Sequence, residues 1–143
     1  MPSLIRLFGV VGLSAAAWVF AFVGHGWYSF GVGFSNDILE LYAVAFVVSL
    51  LASVALAPSL SFASRFSPSA VRGAVVVSVA LLFAILMATA HLTLLKRAPL
   101  DAEYLVGRAW NVYVYYALFG VTYGVSWLTL IGRQPLAQPE KPT

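Results

Sequence analysis

Two imidazoles are the side chains in this sequence best suited to ligating or proton-transfer chemistry: His25, inside Gly24-His25-Gly26, and His91. A histidine ring can bind a metal, exchange a proton near neutral pH, or pair with a hydroxyl or carbonyl. Both residues lie toward the same end of two apolar segments that run in the same direction, so the sequence lets them face each other across a helix bundle. Two imidazoles so placed could ligate a b-type haem axially, with Gly24, Gly26, Ala88 and Ala90 leaving room for the macrocycle. The simpler expectation is that each ring bonds a nearby group, for instance around Thr89 or Thr93.

A second set of candidates is the aromatic stretch Trp110, Tyr113, Tyr115, Tyr116, Phe119, Tyr123 and Trp127. On a helix, Trp110 and Trp127 would be about 25 Å apart, a separation that suits the two interfacial belts of a bilayer. Tyr116, Phe119 and Tyr123 form one stripe nearer the middle, where a phenol needs a hydrogen-bond partner. Either these hydroxyls bond within the protein and no cofactor is present, or with His25 and His91 they bind haem b or a flat ligand such as a quinone, pigment or lipid. Asn111 would add a polar group to such a site.

Other chemistries are disfavoured by what is missing. With no cysteine, disulfides, thiolate nucleophiles and iron–sulfur ligation are excluded. No H-E-x-x-H, G-x-S-x-G or Gly-rich phosphate loop occurs. No Asp, Glu, Lys or Arg falls deep within an apolar run, so the buried carboxylate of a proton-coupled transporter is absent. The net charge of +3 is scattered over segment ends, which does not fit nucleic-acid binding.

The elements that must position these groups are four apolar runs, approximately 7–31, 38–60, 71–95 and 104–131, each reaching the about 20 residues needed to cross a bilayer. The chain is 62% hydrophobic and 9% charged, with a mean hydropathy of +0.93. Lipid-exposed backbone must satisfy itself internally, so these runs are expected to be helices. The expectation is an all-α integral membrane four-helix bundle running up-down-up-down, one domain over 1–133, and a disordered cytoplasmic tail over 134–143. Arg6, Arg65, Arg72, Arg133 and Lys141 fall on one side and Lys96, Arg97 and Arg108 on the other. By the positive-inside rule both termini are cytoplasmic, and the membrane is expected to be a bacterial inner one. The loop 25–36 carries no Lys or Arg, in keeping with an outside location. A cleaved signal peptide is the competing reading of the N-terminus, but its apolar run is long for one.

Boundary signals include Asp37-Ile38-Leu39-Glu40 as a capping arrangement opening the second helix. Ser67-Pro68 reads as an N-cap and first turn for the third. Pro99 breaks the chain before Asp101 and Glu103, whose charges suit the start of the fourth. Small residues recur every four positions: Ala45, Ser49, Ser53 and Ala57; Ala80, Ala84 and Ala88; Gly120 and Gly124. Such rows let helices approach closely, within the bundle or against another subunit.

The functional expectation is a small non-enzymatic membrane protein, an accessory or scaffolding subunit that associates with other membrane proteins or with itself. Two alternatives stand beside it. One is a haem- or quinone-binding redox subunit; the other is a homo-oligomeric channel or carrier for a neutral or lipidic substrate, with Ser49/Ser53 and Thr122/Ser126 facing the pore.

Overall fold

A computed structural model describes residues 4–30, 38–95, 101–104, 107 and 109–132. They form α1 (Leu4–Phe30), α2 (Ile38–Phe66), α3 (Arg72–Ala90), the single turn α4 (Ala102–Tyr104) and α5 (Trp110–Leu130). A π-helical turn, His91–Leu95, continues α3. There is no strand among the described residues. Three stretches are long and apolar enough to cross a membrane: Leu4–His25, Ile38–Phe66 and Arg72–Leu94. The fourth long helix, α5, is not among them, because its four Tyr, two Trp and one Asn dilute the aliphatic residues.

Several boundaries differ from expectation. α1 reaches Phe30, within the expected run 7–31, so Gly24, His25 and Gly26 are helical and not part of a loop starting at residue 25. α2 runs past Pro58 to Phe66. Proline removes one backbone donor without ending the helix, and the next hydroxyl, Ser59, bonds back to the Ala55 carbonyl at 2.8 Å. Ser67-Pro68 does not cap α3. The N-cap is Val71, with no side-chain cap bond, and the Pro68 carbonyl instead accepts from the N–H groups of Val71 (3.1 Å) and Arg72 (3.0 Å). Asp101 does act as a cap, accepting from the Tyr104 N–H at 2.7 Å, but on α4, since α5 starts only at Trp110. The expected cap at Asp37, the loop charges Lys96, Arg97 and Arg108, the break at Pro99 and the tail 134–143 lie outside the described residues.

The four long helices pack in a ring, α1 on α2, α2 on α3, α3 on α5 and α5 on α1. The backbones of α3 and α5 meet closely at Gly120 and Gly124. A Cβ built on Gly120 would stand 2.7 Å from the Ala84 Cβ and 2.9 Å from the Ala80 carbonyl; one on Gly124 would stand 2.9 Å from the Val77 Cα. Ala80, Ala84 and Ala88 are fully buried, as are Val10, Val11, Leu56, Leu60 and Tyr123. Trp127 is 2% exposed and belongs to this core rather than to an interfacial belt, whereas Trp110 is 54% exposed. Buried hydroxyls bond back to their own helix: Ser14 to the Val10 carbonyl at 2.7 Å, Ser49 to Ala45 at 2.6 Å, Ser53 to Ser49 at 2.8 Å. Back-bonding of this kind keeps serine tolerable in an apolar setting.

α2 is set low along α1. Tyr42 donates to the Gly12 carbonyl at 3.2 Å and Phe46 stacks on Phe8 at 6.1 Å, so the first turns of α2 lie beside the N-terminal half of α1. Gly12 permits this, since a Cβ there would press on the Tyr42 hydroxyl at 3.2 Å. The far half of α1 therefore rises past the start of α2, and the α2–α3 contact is the loosest of the ring.

Candidate functional site

At this end of the molecule α5 holds both histidines. Asn111 Oδ1 accepts from the Val112 N–H at 2.9 Å, which orients the side chain so that Nδ2 donates to His25 Nε2 at 3.3 Å. Tyr116 and His91 Nδ1 are 3.0 Å apart. Next to this pair, Thr89 and Tyr113 join their hydroxyls at 3.1 Å. Residues 111 and 116 are five apart, about 140° round a helix of 3.6 residues per turn. α1 and α3 thus bring their imidazoles to α5 from different sides, each onto its own polar partner. A run of ring contacts joins the two: His25 to Tyr115 (5.8 Å), Tyr115 to Trp18 (6.3 Å), Trp18 to Tyr116 (6.2 Å) and Tyr116 to His91 (5.8 Å).

For a bis-imidazole haem this geometry is demanding, since the His25 Nε2 lone pair that iron would need accepts from Asn111. Among the described residues no three His, Cys, Asp or Glu gather as a metal site. Tyr123 lies elsewhere. It is fully buried and donates to Ser53 Oγ at 2.7 Å, across the ring from α5 to α2, so its phenol is satisfied inside the core. Of the hydroxyls offered as pore-lining groups, Ser49 and Ser53 are engaged through back-bonds, and Ser53 also accepts from Tyr123.

The structure adds a cleft that sequence reasoning did not delimit. It has a volume of about 230 Å³ and lies where α2 is loosest against α3, between Leu41, Ala45 and Ser49 on one wall and Met87 and His91 on the other. Trp18, Tyr116 and Phe119 close its inner side. A more open hollow of about 320 Å³ adjoins it, sharing Met87, His91 and Tyr116. His91 and Tyr116 were legible as candidates; Trp18 and Met87 were not, because both read as ordinary apolar span residues. The π turn starting at His91 sits at the same place, a distortion often found where a helix serves a site.

The cleft is apolar apart from His91, Tyr116 and the back-bonded Ser49. Among the described residues that line it there is no Asp, Glu, Lys or Arg. No family model, curated protein or solved structure matches the chain.

Proposed function

We propose that this chain is an integral membrane protein of four spans that binds a lipid-soluble molecule in the cleft between α2 and α3. The observation that carries the reading is a hydrogen-bonded imidazole–phenol pair on the wall of an otherwise apolar cleft. Binding pockets for small molecules have this composition, mostly apolar with a few placed polar groups. In a bilayer the exposed rim residues Val44 and Val48 would face lipid, and a lipophilic ligand would enter sideways.

α5 completes the fourth span in this reading. It is 21 residues, about 31 Å at 1.5 Å per residue, and the phenols of Tyr113, Tyr116 and Tyr123 are taken up by hydrogen bonds to α2, to α3 and to the π turn that continues α3. The charge distribution favours both termini in the cytoplasm, and we place the chain in a bacterial inner membrane. The Gly120/Gly124 and Ala80/Ala84 rows are used in packing α3 against α5, which supports the cleft over a docking face on those rows as the seat of function. Met87 lines the cleft and the only other methionine is Met1. Methyl NMR of methionine-labelled protein therefore reads occupancy directly. Gently purified protein should show a Met87 signal that moves on delipidation.

A further inference from the structure

Resting on that reading, we infer that the cleft takes the ring of a membrane quinone, with one ring oxygen on the Tyr116 hydroxyl. Its volume of about 230 Å³ falls below the roughly 300–1,000 Å³ that encloses a whole drug-sized ligand. It therefore holds a single substituted ring and leaves a tail outside among the lipids. Its inner side is aromatic, formed by Trp18, Tyr116 and Phe119, and stacked or edge contacts with such rings favour a flat guest over an acyl chain. The polar pair, His91 and Tyr116, belongs to the same lining.

The pair can serve both oxidation states of such a ring. When His91 carries its proton on Nδ1 and donates to the Tyr116 oxygen, the phenol O–H is left to donate to a quinone carbonyl. When the phenol instead donates to Nδ1, the Tyr116 oxygen accepts from a quinol hydroxyl. The 3.0 Å contact is compatible with either direction, since an imidazole nitrogen is donor or acceptor according to tautomer. Ser49 cannot do the same: its hydroxyl proton is held by the Ala45 carbonyl at 2.6 Å, so it can only accept. Either direction of the His91–Tyr116 bond thus leaves the Tyr116 oxygen a role toward the ligand, so the site accepts both the carbonyl and the hydroxyl form. No redox step is assigned to the protein.

The test uses the full chain, delipidated in micelles, with a p-benzoquinone bearing one isoprenoid unit, its quinol, the isoprenoid tail alone, and phosphatidylglycerol. The absence of cysteine removes thiol addition to the quinone as a background reaction. Quinone and quinol should each raise the melting temperature saturably, as a ligand of the folded state must. Ala45→Phe, which fills the cleft, should abolish the effect, and Tyr116→Phe should weaken both forms about tenfold, the loss of one hydrogen bond. The ¹⁵N shifts of His91 should report opposite tautomers in the two complexes. Stabilisation by the lipid or the tail, with none from quinone, overturns this inference and leaves lipophile binding in place. If no probe binds, both are overturned. The comparison of probes on the unaltered protein decides the matter even if a variant misfolds.

Discussion

Tyr123 shows how a single polar atom can be fixed from opposite sides of the molecule. Its hydroxyl donates to Ser53 at 2.7 Å, while Ser53 donates in turn to the Ser49 carbonyl, so neither oxygen is left unpaired in the core. Tyr123→Phe should lower stability by about 0.5–1.5 kcal/mol, and Ser53→Ala by a similar amount. Because both variants delete the same bond, the double variant should cost clearly less than their sum. Additive losses in a denaturation series would show that the bond contributes nothing. That buried phenols need partners was legible from the sequence, as was a polar role for Asn111. Which partners they take was not: His25 with Asn111 and His91 with Tyr116 are separated by 86 and 25 positions, and only packing selects them.

At the scale of helices, the close approach of α5 was legible in the sequence, whereas the α2 row of Ala45 and Ser49 borders the cleft instead. Gly120-x-x-x-Gly124 predicted a close approach, and the structure supplies its partner, the Ala80–Ala84 row of α3. Gly120→Ala drives a methyl to within 2.7 Å of the Ala84 Cβ and 2.9 Å of a carbonyl, so the helices must separate. It should lower the melting temperature markedly, with an overpacking cost of about 1–3 kcal/mol. Gly24→Ala meets nothing within 4 Å and replaces a helical glycine, so it should be neutral or stabilising by up to about 1 kcal/mol. Equal melting of the two variants would contradict the packing described for α3 and α5. Helix ends were less legible. Ser67-Pro68 has the composition of a cap, yet the Pro68 carbonyl closes a turn instead, and Pro58 fails to stop α2 because a helix packed on two neighbours can forgo one donor. The low setting of α2 depends on Gly12 accommodating Tyr42, a contact between segments that no local pattern announces.

For the molecule as a whole, three helices apolar enough to cross a membrane and a ring of four define the setting, and the loose α2–α3 edge defines the cleft within it. Hydropathy alone could find the helices but not the cleft, which arises from the offset of one helix. The proposed topology puts residue 35 outside and residue 67 inside. Single cysteines introduced at Ser35 and Ser67 into this cysteine-free chain should react with an impermeant maleimide from opposite sides of the membrane. Reaction of both from one side would contradict four spans. The central claim, an occupied cleft between α2 and α3, is tested most directly at Met87, with Met1 as internal reference. In ¹³C-methyl methionine spectra of protein in nanodiscs, gentle purification should give a Met87 signal displaced from that of delipidated protein. The displacement should vanish in Ala45→Phe, with Met1 unmoved throughout. A Met87 signal at one position in all three samples would contradict the claim.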